Sequence, residues 1–343
     1  MRVLVTGGTG IVGAEVRDQL ARGGRWEVTS VARRPGPEGG TVVWNMSAQP
    51  PPEAVRGRWD AIVNCAADTR WSQTAQEALR ANVSSLAALA AVASRDTHVL
   101  QVSTAAVVGP RSDGRSDDPG HYRNMYEWSK ARAEHVAAGL FGRLTIVRPP
   151  LVIGRRCDGR AARFAGMYML LRGIAASSVP AIVGYPGGYF DAVPVDDLAS
   201  VIIKALDGPG DGEVLTPACG RAAPRVRTVI ELLCETLNEW RRRRGVAALD
   251  VPPFLDPESW TRFYRPFADD VLSRRQRLTL DHLDQFLPYL RLTEPFAATH
   301  QVIDADRAIP ASVRYWADTH RRLASLAPRP WQAVPAEAKP CPK

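Results

Sequence analysis

The chain has 343 residues, 45% of them hydrophobic, and a formal net charge of +8. This length supplies a large core, so we expect one large domain with a smaller appendage. No apolar run approaches the length of about eighteen residues that a membrane span needs, so we expect none. A glycine-rich loop begins close to Met1, and we therefore expect no signal peptide.

The cysteines and the charge narrow the class of protein. The five cysteines lie at 65, 157, 219, 234 and 341, without the spacing of metal ligands. We therefore predict reduced thiols, a cytoplasmic protein and no metal site. The positive charge would suit nucleic acid, a phosphorylated cofactor, a coenzyme A thioester or an acidic carrier protein. No nucleic-acid motif accompanies it, so we do not expect a nucleic-acid partner.

The first predicted strand, Arg2 to Thr6, leads into a glycine-rich loop and then a helix. The loop spacing is Gly-x-x-Gly-x-x-Gly. A strand, such a loop and a helix form the phosphate-binding start of a dinucleotide-binding βαβ unit. The first glycine permits a tight turn, the second lets a pyrophosphate approach, and the third lets the helix pack on the strand. The helix N-terminus adds amides and partial positive charge. The predicted phosphate-binding residues are Gly7, Thr9, Gly10, Ile11, Val12 and Gly13.

The second predicted strand, 26–32, is followed directly by Arg33 and Arg34, and no carboxylate occurs before Glu38. An acidic residue at this place binds a free ribose 2′-hydroxyl, whereas arginine suits a 2′-phosphate. We therefore expect NADPH as the preferred cofactor, with NADH also accepted. A third strand is predicted over 41–44.

Two further strands complete the nucleotide-binding pattern. The fourth, within 60–67, ends in the small residues Ala66 and Ala67, and the fifth, 99–102, is followed by Ser103 and Thr104. In open α/β sheets, ligands bind at the carboxyl ends of the strands. The fold class predicted is α/β, a Rossmann-type doubly wound parallel sheet with a smaller, mainly helical C-terminal substrate domain.

Tyr126 and Lys130 lie four residues apart and so share one helix face. The ammonium would lower the pKa of the phenol, and the tyrosine could exchange a proton with a substrate oxygen as hydride moves. The chain has eight tyrosines and four lysines, so such a pair arises by chance at a rate of roughly 0.1.

These motifs resemble the extended branch of the short-chain dehydrogenase/reductase superfamily, whose members begin Thr-Gly-x-x-Gly-x-x-Gly. The segments 68–71, 82–83 and 124–127 are similar to the branch with fatty acyl-CoA reductases, male-sterility proteins and terminal thioester-reductase domains. The resemblance covers 1–205. It implies an NADP-binding Rossmann domain over 1–155, with a return strand and helix near 190–206, and a substrate-binding part over 156–327. The proline-rich segment 328–343 is predicted to be a disordered tail.

The resemblance also implies roles for individual residues. Tyr126 would be the proton donor, Lys130 its tuner and a ribose ligand, and Thr104 would orient the substrate carbonyl. For the cofactor it adds Asn45 and Met46 at the adenine, Ala66 and Ala67 at the phosphates and ribose, and Pro149 and Val152 at the nicotinamide. Candidate substrate contacts are Asp68, Ser103, Thr104, Phe164 and Tyr168. Val108 departs from the family, which often has tyrosine there, and Asp196 is expected to cap a helix.

The substrate implied is an acyl thioester, on coenzyme A or an acyl carrier protein, reduced to an aldehyde or alcohol. A ketone or aldehyde reductase, or an alcohol dehydrogenase, would use the same residues. A nucleotide-sugar epimerase or dehydratase usually has an acidic residue after the second strand, where this chain has arginine. A non-catalytic cofactor sensor tends to lose the tyrosine and lysine. Relatives often dimerise through the helices around 72–94 and 126–140, so a homodimer is compatible with the sequence.

Overall fold

The computed structural model describes residues 1–36, 39–109, 112–267, 272 and 274–328. Apart from its first residue, the predicted disordered tail lies outside this range. The strands are β1 (Arg2–Thr6), β2 (Glu27–Ala32), β3 (Thr41–Val43), β4 (Ala61–Asn64), β5 (His98–Val102), β6 (Arg143–Val147), β7 (Leu151–Ile153), β8 (Ile182–Val183), β9 (Ala192–Pro194), β10 (Asp211–Leu215), β11 (Pro217–Ala218), β12 (Phe254–Leu255) and β13 (His300–Gln301).

The helices alternate with the strands in the first half of the chain and dominate the second. They are α1 (Ile11–Gly23), α2 (Ala75–Asn82), α3 (Ser85–Ala90), α4 (Met125–Leu140), α5 (Met167–Ala175), α6 (Val195–Ala205), α7 (Val226–Arg242), α8 (Pro257–Ser259), α9 (Arg274–Asp284), α10 (Ala308–Thr319) and α11 (Arg321–Ala324). Of the described helices, none combines the length and apolar character that a membrane crossing requires.

Seven strands form one parallel sheet in the order β10-β6-β5-β4-β1-β2-β3. Its central strands are aliphatic on both sides: Val3, Leu4 and Val5 of β1 are fully buried. Strands of this kind need helices on both faces. The predicted Rossmann-type doubly wound class is confirmed. Because all seven strands are parallel, their carboxyl ends lie along one edge of the sheet.

Each face of the sheet has its own helix layer. On one face, α1 packs beside α6, and Leu198 and Ile202 of α6 share a buried cluster with Val5 and Leu100. On the other face, Leu86 and Leu89 of α3 and Ala133 and Ala137 of α4 pack on β4 and β5. The helix that carries Tyr126 and Lys130 is therefore fixed directly on the sheet.

The C-terminal part has a separate hydrophobic core. One face of α7 is buried against α10, with Val229, Leu233 and Leu237 meeting Val313 and Trp316. Short parallel ladders, β7 with β9, β8 with β12 and β11 with β13, pair segments that are distant in sequence.

The start of α6 differs from the expectation for Asp196. The helix begins at Val195 after Pro194, and no side chain caps it. The carboxylate of Asp196 instead accepts the backbone N–H of Arg156 at 3.0 Å. The prediction that Asp196 is the N-cap is therefore wrong, because the residue lies inside the first turn and reaches across to the segment after β7.

Candidate active site

The loop between β1 and α1 requires glycine for steric reasons. Gly7 has a φ of +66°, and a Cβ there would lie 2.8 Å from backbone atoms of Cys65 and Ala66. A Cβ on Gly13 would lie 2.4 Å from Gly7 O. These distances are shorter than any real Cβ contact, so the loop closes on β4 and on the helix only with glycine at these positions.

Gly10 leaves the ligand side of the loop open. Its N–H donates to Gly7 O at 2.7 Å, and it immediately precedes α1. Of the described residues, only Gly7 approaches a Cβ built on Gly10, at 3.1 Å. The free amides of Ile11 and Val12 begin the helix beyond it, where partial positive charge favours an anion. This cradle, which a larger side chain would fill, fits a pyrophosphate.

The adenosine end of the predicted site lies at the edge formed by β2 and β3. Arg33 and Arg34 directly follow β2 and are exposed. Asn45 follows β3, and its N–H donates to the side chain of Gln49 at 3.1 Å. Met46 packs partly buried against the sheet cluster. The two arginines are thus available to a phosphate at the rim of the sheet.

A buried chain of polar side chains crosses the strand ends. Thr6 Oγ1 accepts from Ala66 N at 3.2 Å and donates to Asn64 Oδ1 at 2.5 Å. Asn64 Nδ2 then donates to Gln101 Oε1 at 2.7 Å, and Gln101 Nε2 lies 3.3 Å from Val102 O. Each of these side chains is at most 1% exposed. Their hydrogen bonds hold β1, β4 and β5 in register at the edge where the cofactor would bind.

Lys130, on α4, lies at this edge of the sheet. Its Nζ donates to Val102 O at 2.6 Å, two residues before Thr104, and the side chain is 2% exposed. Burial lowers the pKa of Lys130 to about 8, although the charges of Glu134 and Cys65 oppose the shift. Within the described chain, Val102 O is its one hydrogen-bond acceptor, so two N–H donors remain for a ligand.

Thr104 and Ser103 lie beside Lys130 at the end of β5. Both are buried, and Thr104 Oγ1 accepts from Ala106 N at 3.2 Å, which leaves its O–H free to donate. Ser103 Oγ has no partner among the described residues. A buried hydroxyl without a partner is uncommon and indicates a missing ligand or water. Thr104 therefore lies two residues beyond the carbonyl that Lys130 bonds, and its role toward a substrate stays a prediction.

Tyr126 stands on the first turn of α4, one turn before Lys130. Burial raises the pKa of its phenol, and the negative charge of Glu127 raises it further. The sequence predicted the opposite direction, caused by Lys130. That prediction is wrong for this arrangement because burial and the neighbouring carboxylate dominate, and the ammonium is bonded to Val102 O. The consequence is a phenol that stays protonated at neutral pH and can donate its proton.

Pro149 and Val152 lie in the segment after β6, which runs beside the carboxyl end of β5. Ser103 N donates to Val147 O at 2.7 Å, and Ala105 N donates to Pro149 O at 2.8 Å. Val152, within β7, is partly buried against the sheet cluster. The two segments therefore run side by side, and Pro149 is held next to the Ser103–Thr104 pair, the predicted nicotinamide end of the site.

Asp68 is committed to a neighbour. Its carboxylate bonds Arg70 through two nitrogens, with Nη2 at 2.8 Å. Burial favours its neutral form, but the hydrogen bonds and charge of Arg70 and the charge of Arg33 outweigh burial and lower the pKa of Asp68. The residue is therefore an anion near the arginines that follow β2, while Ala66 and Ala67 lead into it from β4.

Phe164 and Tyr168 pack in the hydrophobic core of the C-terminal part. Tyr168 is 1% exposed, and its hydroxyl accepts Gly154 N–H at 2.8 Å. The Phe164 ring meets Tyr168 and His320 edge-on, both at 4.9 Å between centroids. Helical spacing of aromatics is the same for a core face and a pocket face, and a role of these two residues as substrate contacts stays a prediction.

Asn82 has a structural task that the sequence did not reveal. Its Oδ1 accepts from Asp68 N at 2.7 Å, and its Nδ2 donates to Ser129 Oγ at 2.8 Å. Ser129 Oγ in turn donates to Tyr126 O at 2.8 Å. Asn82 therefore ties the loop after β4 to the turn that carries Tyr126.

Arg163 is a second residue that sequence reasoning missed. Its Nε donates to Thr9 O at 3.0 Å, so a guanidinium from the C-terminal part lies at the glycine loop. No local pattern connects positions 154 residues apart.

Among the described side chains, no group of three His, Cys, Asp or Glu could hold a metal ion.

Comparison with known proteins gives concordant results. Residues 52–202 match the family described as male sterility protein. The epimerase family protein SDR39U1 of mouse (Mus musculus) is 30% identical over 222 residues, which are 60% of this chain and 71% of that protein.

Two solved structures share the fold. The terminal R domain from the myxalamid PKS-NRPS biosynthetic pathway has a TM-score of 0.61 at 19% identity, covering 94% of this chain and 91% of that chain. Human epimerase family protein SDR39U1 (isoform 2), determined with NADPH, has a TM-score of 0.55 at 20% identity, covering 93% and 99%. Together with the glycine loop, the parallel sheet and the tyrosine–lysine helix, these matches show that the chain belongs to the extended short-chain dehydrogenase/reductase family of NAD(P)-binding enzymes.

Proposed function

We propose that the protein is an NADPH-dependent reductase that converts an acyl thioester to an aldehyde. The observation that carries the proposal is the set of polar side chains at and near the carboxyl end of β5. Lys130 donates to Val102 O at the carboxyl end of β5, Thr104 keeps a free O–H two residues later, and Tyr126 precedes Lys130 by one turn of α4. This set supplies donors to one oxygen, which is what a carbonyl needs as it accepts hydride.

Each residue has a defined task in such a reduction. Bound NADPH would supply the hydride. Thr104 would donate a hydrogen bond to the substrate carbonyl oxygen, and Tyr126 would transfer its phenolic proton to that oxygen as negative charge develops. The remaining N–H donors of Lys130 would hold the ribose hydroxyls near the nicotinamide. The resulting hemithioacetal would then break its C–S bond, so that the thiol leaves with a proton and the aldehyde remains.

Arg33 and Arg34 support NADPH over NADH. Both are exposed, and they follow β2 at the place where the ribose of the adenosine would lie. Arg33 is near enough to Asp68 for its charge to lower the pKa of that carboxyl. A 2′-phosphate at this place would be close to two exposed cations.

A thioester substrate is supported by resemblance and by charge. The match to the male-sterility family covers the catalytic helix, and the myxalamid R domain shares the fold over most of both chains. The net charge of +8 suits the phosphates of coenzyme A or the acidic surface of a carrier protein. A free ketone or aldehyde would be reduced by the same three residues.

Cofactor consumption, followed by the absorbance of the reduced nicotinamide, tests the proposal. The purified protein would be given NADPH or NADH with acyl-CoA thioesters, aldehydes and ketones. We expect NADPH-dependent turnover of thioesters. Turnover confined to free carbonyls would make the protein a ketone or aldehyde reductase. No turnover, with a nucleotide cofactor retained through purification, would favour the epimerase chemistry in the name of the mouse relative.

A further inference from the structure

A second tyrosine, from the C-terminal part, is bonded to the first turn of the catalytic helix. The hydroxyl of Tyr289 donates to Glu127 Oε1 at 2.6 Å and accepts from Asn124 Nδ2 at 2.8 Å. Asn124 is the N-cap of α4, and its Oδ1 accepts the N–H of Glu127 at 3.0 Å. Tyr289 therefore contacts both residues that flank the Met125–Tyr126 pair.

The Glu127 carboxylate is a buried anion with a full set of partners. It is 1% exposed, and Arg123 Nη1 lies 3.1 Å from each of its oxygens. The charged and titratable groups that face it are Arg123 on its own element, Tyr289 from the C-terminal part and the adjacent Tyr126. Arg123 also donates to Ala106 O at 3.2 Å, close to Thr104.

The other side of Tyr289 contacts the elements that would enclose a substrate. Its ring stacks on Trp71, with centroids 4.6 Å apart and an interplanar angle of 22°. Trp71 belongs to the loop after β4 and also meets Phe286 edge-on at 4.7 Å. Phe286 and Leu290 line an apolar cavity of about 30 Å³ in the C-terminal part. Tyr289 thus connects this part and the loop after β4 to the helix of Tyr126.

We propose that Tyr289 is a positioning residue for the reaction: its hydroxyl holds the Glu127 carboxylate, and through it the turn of α4 that carries Tyr126. The inference rests on the proposed role of Tyr126 as proton donor. It makes activity depend on a hydroxyl that comes from the substrate part of the chain and that does not itself reach the reacting atoms.

The hydroxyl also affects the charge of Glu127. Burial raises the pKa of Glu127, while Arg123 and the hydrogen bond from Tyr289 oppose the rise. Loss of the Tyr289 hydroxyl would remove one of these opposing effects, so Glu127 would take up a proton at a higher pH than in the natural protein. Neutral Glu127 would release Arg123 and loosen the turn.

The test compares Tyr289→Phe with Tyr185→Phe in the full chain. Tyr289→Phe keeps the ring and its stacking on Trp71 and removes only the hydroxyl. Tyr185 is the matched control, because its hydroxyl donates to Glu258 at 2.7 Å in an exposed pair of the same part. For whichever substrate the natural protein reduces, we expect Tyr289→Phe to lower kcat about tenfold at neutral pH. The KM for the cofactor should not change. The acid limb of the pH profile should move to higher pH, and Tyr185→Phe should leave both values unchanged.

Thermal unfolding over the same pH range gives a readout that does not depend on turnover. The pKa of Glu127 is raised in the folded state, so stability is lost as pH rises through it, and Tyr289→Phe increases this loss. The difference in Tm from the natural protein should therefore be largest at neutral pH and fall, below the ordinary glutamate pKa of 4.5, to the constant effect of losing the Asn124 hydrogen bond. Glu127→Gln, which has no titration there, should abolish both the acid-limb shift and the pH dependence when combined with Tyr289→Phe.

Three results would overturn the proposal. The first is a kcat reduced equally at every pH, which indicates general loosening. The second is a Tyr289→Phe protein with the kcat and Tm profile of Tyr185→Phe. The third is an acid limb of the pH profile that Tyr289→Phe leaves unchanged both in the Glu127→Gln background and in the natural background. Failure of thioester turnover alone would contradict the proposed substrate and leave the Tm comparison to decide this inference.

Discussion

Buried polar residues serve different purposes in the two parts of the molecule. At the carboxyl edge of the large sheet, Lys130 and Ser103 are almost fully buried, yet the described residues leave donors or acceptors on both unused. In the C-terminal part, Arg241 and Asp191 are as deeply buried, but each is bonded to several backbone groups. All four residues are deeply buried, so unused hydrogen-bonding capacity, and not burial, is what distinguishes Lys130 and Ser103 from the two structural residues.

The two C-terminal residues show what full use looks like. Arg241 donates to the carbonyls of Ala247, Ala324 and Leu326, at 2.7, 2.6 and 2.9 Å. Asp191 accepts the backbone N–H groups of Cys219 and Gly220, at 2.9 and 2.8 Å. Both fasten segments that are distant in sequence, and neither has reason to contact a substrate.

The largest effect that we predict is for Tyr126→Phe, which tests whether the polar residues at the sheet edge act in catalysis. The substitution keeps the ring and removes the proton donor, so we expect kcat to fall by about a hundred- to ten-thousandfold while cofactor binding and Tm change little. Stopped-flow or steady-state reduction measures the first, and nucleotide fluorescence titration the second.

Tyr122→Phe is the matched control for this prediction. Tyr122 is also largely buried, four residues before Tyr126, and its hydroxyl donates to Ser116 O at 2.9 Å. Loss of that bond should cost about 1 kcal/mol of stability and leave kcat within a few-fold. Equal losses of kcat in the two variants would show that Tyr126 has no chemical role.

Much of the nucleotide-binding half follows from local spacing. The glycine loop, the strand ends and the tyrosine–lysine pair are each encoded within about a dozen residues, because helical and strand periodicity place them without reference to distant contacts. The alternation of strands and helices predicts a parallel sheet, whereas the order of its strands is known only from the structure.

Other features depend on long-range packing. Tyr289 and Arg163 meet Glu127 and the glycine loop only after the C-terminal part has docked, and no neighbouring residue signals it. Spacing also cannot report burial, so the direction of the Tyr126 pKa shift was predicted wrongly. Asp196 shows the same limit at a helix start, where its carboxylate bonds Arg156 N from another segment.

Arg241→Ala should give the largest loss of stability. It would leave three carbonyls without their donor and a space where a fully buried guanidinium lies, so we expect the free energy of unfolding to fall by about 3 kcal/mol. Urea unfolding followed by circular dichroism measures it. Arg243→Ala is the control, since Glu239 is the one ion-pair partner of Arg243 among the described residues and the pair is at the surface, so its loss should cost under about 0.5 kcal/mol. Similar losses in both would contradict the structural role.

Lys130→Met should separate function from stability. Because burial lowers the pKa of Lys130 from 10.5 to about 8, its charge opposes folding below pH 8. In the natural protein, the folded state loses this proton above pH 8, so the free energy of unfolding rises between pH 8 and 10.5, the ordinary lysine pKa. We therefore expect the variant to be about 3 kcal/mol more stable at pH 7 and the gain to vanish near pH 10.5, with activity lost throughout. A destabilised variant at pH 7 would show that the charge is well solvated or fully paired.

The smallest expected effect concerns the arginines at the rim of the sheet. Replacing Arg33 and Arg34 together with alanine should weaken NADPH binding about tenfold and leave NADH binding unchanged, because only NADPH carries the 2′-phosphate. Arg163→Ala makes the contrast sharper. Arg163 lies at the glycine loop, where both cofactors would place the same pyrophosphate, so its loss should weaken NADPH and NADH by the same few-fold factor. Fluorescence titration with each nucleotide measures both. Equal weakening of the two cofactors by the Arg33 and Arg34 replacement would mean that these arginines act only through the overall positive field, and that the chain has no built-in preference for the phosphorylated cofactor.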